Sequence, residues 1–270
     1  MRTALAGLLA SVLLLQGQAP DLASDAALWR DFSSWVDSLS PLPAGHRSTF
    51  AQTYALTLRA RGISAPESAR LLQRIQRLHR STPAREAAYW DALYKLGNGP
   101  DAPSTLLQET IRGLPPGRAL DAAMGRGRNA LYLASQGWDV TGYDLSPAAL
   151  AAANTLAAQS DLKLTTHIAR HETFDFGAAQ WDLIVCLYNY MDPDDPKLPA
   201  RLHRALRPNG LVVFQTAWRR ELTRRQLTRL WRNFHILRYE DLDAGTVTDE
   251  WQASLTYPTL KFVLQKPATP

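Results

Sequence analysis

A glycine-rich segment with a carboxylate on either side holds the residues whose types and spacing could do chemistry. Asp121 precedes Gly125 and Gly127, and Asp144 follows the next apolar run of the chain. Glycines let a backbone approach a ligand closely and adopt φ values that other residues avoid. A carboxylate at the tip of a strand can accept hydrogen bonds from both hydroxyls of a ribose. The spacing therefore predicts a site for a nucleoside-containing ligand.

Two ligands of this kind fit the spacing. Residues 125–130 match the G-x-G-x-x-A fingerprint of dinucleotide binding, and Asp144 stands at nearly the distance that this motif expects. Asp121 favours the other ligand, because a carboxylate facing the turn attracts the ammonium group of S-adenosylmethionine (SAM) and repels a pyrophosphate. The chain also shows no second nucleotide-binding half after Gly210. We therefore interpret the segment as a SAM site, with a dinucleotide site or a turn without ligand as alternatives.

The elements around this segment predict an α/β fold. Strands are predicted at 119–122, 138–143, 162–168, 181–187, 211–216, 235–239 and 259–265, and helices at 129–136, 147–159, 199–206 and 219–233. Alternating strands and helices imply a parallel, doubly wound sheet, which binds its ligands at the carboxyl edge. The last two strands have no clear helix between them, so the final strand is expected to run antiparallel to its neighbours.

The chain before this domain reads as helical. Helices are predicted at 25–39, 46–61, from Ser64 through Leu78, at 83–96, and from just after Ser104 to near Gly113. The segment Leu114-Pro115-Pro116-Gly117 then marks a boundary. Residues 21–112 are expected to form a helical extension over the pocket, and residues 113–268 the ligand-binding domain. The loop at 98–104 is the part of the extension expected to come nearest to the ligand.

The first twenty residues have the order of a secretory signal. Arg2 precedes an apolar run over 3–15, and small and polar residues follow at 16–19. The run is too short to span a bilayer as an ordinary helix, so no stable transmembrane span is expected. Residues 1–20 are therefore predicted to direct export. An uncleaved apolar segment or a start codon assigned too early is the alternative.

The composition indicates a soluble globular protein of 270 residues, with 46% hydrophobic and 20% charged residues. Much of the net charge of +5 lies around 70–85 and 219–232, without the interleaved aromatic residues of a nucleic-acid stacking surface. The composition thus argues against a nucleic-acid partner. The single cysteine, Cys186, excludes an intrachain disulfide and is predicted to be buried and inert. No Cys/His cluster has metal-ligand spacing, so no metal is expected.

These segments resemble the class I SAM-dependent methyltransferases, in the small-molecule group that includes tellurite-resistance-type enzymes. Residues 125–134, followed by 137–146, are similar to the family's motif I region. Residues 181–185 resemble its fourth strand, and 202–213 the entry to its fifth. The resemblance spans about 112–267. It implies SAM as the cofactor and a Rossmann-like, seven-stranded, mostly parallel sheet with the last strand antiparallel.

The resemblance also implies roles for single residues. Asp121 would orient the SAM amino group, and the methionine moiety would be lined by Ala123, Gly125 and Gly127. Asp144 would hold the ribose, Leu145 would pack on the adenine, and Leu187 would offer its carbonyl near the amino group.

The sequence departs from the family pattern at three positions. Ala123 stands where glycine is usual, and Met124 where a smaller residue is common. Arg170 occupies the slot of an acid that contacts the adenine amine, so Glu172 is expected to substitute for it. If position 123 requires φ > 0, its methyl group would narrow the pocket floor.

The implied reaction is methyl transfer to an acceptor beyond the fourth strand, near 188–192. Tyr190 and Asp192 are the candidates for assisting proton removal, with a polar turn at Asp192-Pro193 as the alternative interpretation. The segment Leu-Tyr-Asn-Tyr at 187–190 lacks the Asn/Asp-Pro-Pro-aromatic pattern of amino-group methylation on bases and glutamine. A small-molecule acceptor is therefore expected.

Three other functions stay open. A SAM-binding protein without catalysis is suggested by Ala123, Arg170 and the export signal, because SAM is made in the cytosol. The export signal thus suggests a periplasmic or secreted protein, whereas SAM dependence suggests a cytoplasmic one. An NAD(P)-binding oxidoreductase is the second alternative. An RNA-directed methyltransferase, suggested by charge alone, is the third.

Overall fold

The computed structural model describes residues 22–40, 50–97, 99–189, 191–218, 221–243 and 258–268. The predicted signal at 1–20 lies outside these residues. The chain divides into two compact units between Gly99 and Pro100. None of the helices in the described ranges combines the length and apolarity that a bilayer crossing needs.

The first unit is helical, as predicted. Its helices are α1 (Asp25–Ser38), α2 (Phe50–Ala60), α3 (Ala65–Leu78) and α4 (Pro83–Lys95), with a 3-10 turn at His79–Ser81. The hydroxyls of Ser24, Ser64 and Thr82 each accept the backbone N–H three residues further on, which satisfies an amide at each helix start. The caps at Ser64 and Thr82 confirm two of the predicted starts. The unit buries its own apolar core, which includes Leu28, Phe32, Tyr54, Leu58, Leu71 and Ile75.

The second unit contains a seven-stranded sheet. Its elements are α5 (Thr105–Ile111), β1 (Arg118–Ala122), α6 (Arg128–Ser135), β2 (Asp139–Asp144), α7 (Pro147–Gln159), β3 (Thr165–Ile168), β4 (Trp181–Leu187), α8 (Leu198–Ala205), β5 (Leu206–Ala217), α9 (Arg224–Leu230), β6 (His235–Leu242) and β7 (Thr259–Gln265). The strand order is β3-β2-β1-β4-β5-β7-β6. The pairs from β3 to β5 are parallel, and β7 runs antiparallel to β5 and β6. The predicted Rossmann-like sheet with its last strand antiparallel is thereby confirmed.

Helices cover both faces of the sheet and pack their apolar sides against it. The α8 and α9 face buries Leu202, Val212, Phe214, Leu227, Trp231 and Phe262. The α5, α6 and α7 face buries Leu107, Leu133, Val140, Ala153, Leu183 and Val213. Because β4 lies at the centre of the sheet, it contributes side chains to both cores, which explains its continuous apolar sequence.

The observed elements differ most from the predicted ones in three places, and β3 also begins at Thr165 rather than at 162. The units divide upstream of the expected boundary at 112/113, because α5 buries its apolar side chains in the core of the second unit. Strand β5 begins at Leu206 rather than 211, since its pairing with β4 continues through a bulge that contains Asn209 at φ 64°. Helix α9 begins at Arg224, because Thr223 and Gln226 form a capping box there.

Candidate cofactor site

The turn after β1 brings three residues into the left-handed backbone region. Ala123, Gly125 and Gly127 have φ of 55°, 54° and 81°. This conformation costs a residue with a Cβ about 1 kcal/mol or more, so the backbone of Ala123 is strained. A Cβ on Gly127 would lie 3.0 Å from the Cβ of Ala153, so glycine is required there for space as well. The turn therefore folds tightly at the carboxyl edge of the sheet, with Gly125 and Gly127 buried, and its two glycines leave the backbone without side chains there.

Asp144 ties this turn to the tip of β2. One of its oxygens accepts the N–H of Gly125 at 2.9 Å, and the other accepts the N–H of Ser146 at 2.9 Å. The carboxylate is buried, with 4% of its surface exposed. Each carboxylate oxygen can accept more than one hydrogen bond, so the group can hold the turn and still receive ribose hydroxyls.

Asp121 is the second buried carboxylate of the site. It accepts the backbone N–H of Ala130 in the first turn of α6, while its Oδ2 has no hydrogen-bond partner among the described residues. Burial raises its pKa to about 7, against the opposing charge of Arg128. A buried carboxylate oxygen without a partner is costly, and an ammonium group placed beside it would compensate that cost.

Met124 fills the floor of the turn, and its partner is Gly142 on β2. A Cβ on Gly142 would lie 2.2 Å from the Met124 Sδ. The Met124 N–H also bonds to the Tyr143 carbonyl at 2.9 Å. The methionine is therefore accommodated by a glycine on the neighbouring strand, a pairing that the sequence pattern did not reveal.

A short segment upstream of α5 lies against the glycine turn. We call residues 100–104 the strap. Asp101 pairs with Arg126 at 2.7 Å, the Ala102 carbonyl accepts from Arg128 at 2.9 Å, and the Ser104 N–H donates to the Asn129 Oδ1 at 2.9 Å. The expectation that the loop at 98–104 approaches the cofactor segment thus gains specific contacts. No pattern in the sequence indicated which residues would make these contacts.

The remaining predicted cofactor residues lie at the same edge of the sheet. Leu145 follows Asp144 and is half-buried, and Leu187 ends β4 in a buried position. Glu172 is exposed and pairs with Arg170 at 3.2 Å. Partial burial would raise the pKa of Glu172, but hydrogen bonding and the Arg170 charge lower it below its usual value. Glu172 is therefore an ionised carboxylate whose described contact is Arg170.

The segment after β4 carries the acceptor-side candidates. Tyr188 has φ 54°, and its hydroxyl accepts from the Gln215 side chain at 2.5 Å. Asp192 is exposed, and its Oδ1 accepts the Asp194 N–H at 2.9 Å, as in the polar turn that was the alternative interpretation. Tyr190 lies outside the described residues. The structure therefore holds the Asp192 carboxylate within its own turn.

His171 is held by hydrogen-bonding groups of the fold, and Cys186 lies in its core. The His171 Nδ1 is 2.7 Å from the Tyr143 hydroxyl, and its Nε2 contacts the Asn189 carbonyl. This pairing assigns the tautomer in which Nε2 carries the proton. Cys186 is fully buried, which confirms the predicted burial, and burial raises its thiol pKa to about 12, as expected for an unreactive thiol.

Comparisons with known proteins agree with this geometry. Residues 119–210 match a family model described as a methyltransferase domain. The chain is 38% identical over 118 residues to a ribosomal RNA small subunit methyltransferase J of Rhodopseudomonas palustris, covering 42% of this chain and 53% of the relative. It is 31% identical over 112 residues to a ubiquinone biosynthesis O-methyltransferase of Alkalilimnicola ehrlichii, covering 40% of this chain and 44% of the relative. The chain thus spans about half the length of these curated relatives.

A comparison of the fold with solved structures finds a similar protein. The crystal structure of TehB from Haemophilus influenzae superimposes with a TM-score of 0.50 at 20% identity, covering 67% of each chain. The superposition shows a shared fold. The family match over 119–210, the sheet order and the glycine turn support a class I SAM-dependent methyltransferase domain in the second unit. The cofactor of this class is S-adenosyl-L-methionine, and the buried Asp121 Oδ2, which has no partner among the described residues, fits its ammonium group.

Proposed function

We propose that the protein is an active methyltransferase that transfers the methyl group of SAM to a small-molecule acceptor. The observation that carries the proposal is the Asp121 carboxylate, which caps α6 with one oxygen and leaves Oδ2 unpartnered among the described residues. Asp144 and the left-handed turn lie at the same sheet edge. This set of groups complements an amino acid and a ribose in one ligand.

The residues of the site act by positioning. Asp121 orients the amino group, the turn from Ala123 to Gly127 contacts the methionine backbone, and Asp144 fixes the ribose. Bound SAM supplies an electrophilic methyl group, which an acceptor lone pair takes while S-adenosylhomocysteine leaves. Alignment of two reactants in this way lowers a barrier by up to roughly 7–11 kcal/mol, so the protein needs little chemistry of its own.

The residues after β4, on the proposed acceptor side, favour a small molecule whose attacking group has a low pKa. Asp192 is held in its own turn by the Asp194 N–H. A thiol, carboxylic acid or acidic phenol loses its proton without a strong base, so such acceptors need no help from Asp192. The relative named as a ubiquinone biosynthesis O-methyltransferase is consistent with a phenolic acceptor. Tyr190 remains our candidate for proton removal from acceptors of higher pKa.

Binding and turnover measured together test the proposal. Isothermal titration with SAM, S-adenosylhomocysteine and NAD should give binding of the first two ligands and none of NAD. Transfer of labelled methyl from SAM to a panel of thiol, phenol, amine and carboxylate acceptors should then show turnover with at least one of them. Tight binding of NAD in place of SAM would contradict the proposal. SAM binding without turnover on any acceptor would favour a non-catalytic SAM-binding protein.

An RNA acceptor is the second candidate, and two observations favour it. One relative is named as a ribosomal RNA methyltransferase, and exposed arginines lie on and beside α9, namely Arg224, Arg225, Arg229 and Arg232. A phosphate-binding surface loses affinity steeply as salt rises. RNA binding that stays weak and flat as salt is lowered would remove this candidate.

We also propose that residues 1–20 direct export. The support is the order of charge, apolar run and small residues in that segment. Cell fractionation, with N-terminal sequencing of the mature chain, tests this. Recovery of the intact N-terminus in the cytosolic fraction would contradict it.

A further inference from the structure

Ser104 combines complete burial with an unused hydroxyl. It occupies the N-cap position of α5, where a serine side chain ordinarily accepts an amide of the first helical turn. Here its side chain makes no capping bond, and its Oγ has no partner in the part of the chain that the structure describes. A buried hydroxyl without a partner lowers stability. The hydroxyl therefore contributes nothing visible to the helix that it begins.

The backbone of Ser104 is held on the first turn of α6. Its N–H donates to Asn129 at 2.9 Å, and the next residue, Ala130, donates its N–H to Asp121. The two neighbouring residues of α6 thus hold Ser104 and Asp121. Each of the two bears a buried oxygen without a partner among the described residues.

The charges around this helix turn match an α-amino acid. Arg128 acts on Asp121 electrostatically, and its guanidinium also bonds to the Ala102 carbonyl of the strap at 2.9 Å. A carboxylate attracts an ammonium group, while a guanidinium, a hydroxyl and helix amides attract a carboxylate. The arrangement offers groups for both ends of a zwitterion.

We propose that Ser104 is a cofactor-binding residue whose hydroxyl bonds to the amino-acid end of the SAM. The strap then forms one wall of the pocket and fixes Ser104 there through Asn129. This inference rests on the proposed function, since it requires that a sulfonium nucleoside occupies the turn.

Two ligands that differ only in their amino-acid end test the proposal. S-adenosylhomocysteine carries that end, and 5′-methylthioadenosine lacks it. In the full-length protein, Ser104→Ala should weaken S-adenosylhomocysteine binding about tenfold in isothermal titration, the effect of losing one hydrogen bond to a charged group. Binding of 5′-methylthioadenosine should stay unchanged.

Ser68→Ala is the matched control. Ser68 is also buried with an unpartnered Oγ among the described residues, but it lies on α3 in the first unit. Both variants should keep or slightly raise the Tm of the ligand-free protein, because each removes a buried hydroxyl that bonds to nothing. Only Ser104→Ala should change ligand affinity. A structural role for the Ser104 hydroxyl would lower the Tm and leave affinity unaltered.

The outcomes separate this inference from the proposed function. If the wild-type protein binds S-adenosylhomocysteine and Ser104→Ala binds it equally well, the inference fails and the proposed function stands. An equal loss for both ligands would also overturn the inference, because it would indicate general damage to the pocket. If the wild-type protein binds neither ligand, both proposals fail.

Discussion

The amide of Gly125 and the carboxylate of Asp144 are joined by a 2.9 Å hydrogen bond that fixes the turn after β1 to the tip of β2. The same carboxylate accepts the N–H of Ser146, whose own hydroxyl caps α7. The proposed cofactor site and the start of α7 thus share one buried carboxylate, that of Asp144. The residue that we propose as the ribose ligand therefore also holds the local fold.

Asp144→Ala should lower both stability and cofactor affinity. The substitution leaves two buried amides without their acceptor, which we expect to lower the free energy of unfolding by about 2–4 kcal/mol. S-adenosylhomocysteine binding should weaken about a hundredfold, because the ribose loses a charged acceptor. Urea denaturation and isothermal titration measure the two effects. Asp139→Ala is the control on the same strand, since its exposed carboxylate pairs with Arg118 at 3.5 Å and with no other side chain in the described parts of the chain. Equal effects in the two variants would contradict this role of Asp144.

Asp121 should give the protein a distinctive pH dependence. Burial raises its pKa to about 7, whereas the carboxyl of the unfolded chain ionises near its usual 3.8. Between these values the native state holds a proton that the unfolded state has lost, so stability should fall as pH rises from about 4 to about 7. Chemical denaturation across this range measures the slope. Asp121→Asn should remove this part of the slope, and an unchanged slope in that variant would show that other groups cause it.

Cofactor binding should show the opposite dependence on pH. An ammonium group pairs with the ionised form of Asp121, so affinity for S-adenosylhomocysteine should rise with pH up to about 7, by at most about tenfold per unit. Binding of 5′-methylthioadenosine, which lacks the ammonium group, serves as the reference and should stay flat. Parallel pH profiles for the two ligands would exclude a direct contact with Asp121.

Ala123→Gly should stabilise the protein. Its φ of 55° is strained for alanine and free of strain for glycine, so the free energy of unfolding should rise by about 0.5–1 kcal/mol. The neighbouring Ala122→Gly is the control, because Ala122 is buried in β1, where glycine lowers stability by at least about 0.5–1 kcal/mol. Denaturation of both variants gives the comparison, and a loss in Ala123→Gly would contradict the assigned strain.

Met124 and Gly142 should be energetically coupled. Gly142→Ala places a Cβ 2.2 Å from the Met124 Sδ and should cost about 1–3 kcal/mol of stability. Met124→Ala alone should cost about 2–5 kcal/mol by leaving a cavity. In the double variant the new methyl group has room, so the combined loss should fall short of the sum by about 1 kcal/mol. Additive losses would show that Met124 moves aside without cost.

The sequence predicted the features that depend on local pattern. The strand at 181–187, the helix starts at Ser64 and at 83 and the antiparallel final strand all match the structure. Each follows from a periodicity, a capping residue or a missing helix within a short window. The convergence of Asp121 and Asp144 at one edge also followed, because parallel strands end on the same side of a sheet.

The features that were missed depend on contacts between distant residues. The bulge at Asn209 exists because β5 continues to pair with β4 beyond it. The room for Met124 comes from a glycine on another strand, and the strap is held by Arg126 and Asn129 through side-chain bonds. The sequence next to Met124 or to the strap contains no pattern that would predict these contacts. The capping box of Thr223 and Gln226 was legible in the sequence, and it would have placed the start of α9 correctly.

Asp121 accepts the Ala130 amide at the start of α6 in addition to the ligand contact that we propose for it. A descendant that had lost all affinity for nucleosides would still be selected to keep an acceptor at position 121, because α6 needs one for the Ala130 amide. Persistence of that aspartate is therefore a poor marker of catalysis. The Ser104 hydroxyl makes no hydrogen bond within the described part of the chain, so folding places no such demand on it. If it binds ligand as we propose, position 104 should lose its serine sooner than position 121 loses its aspartate once activity is lost.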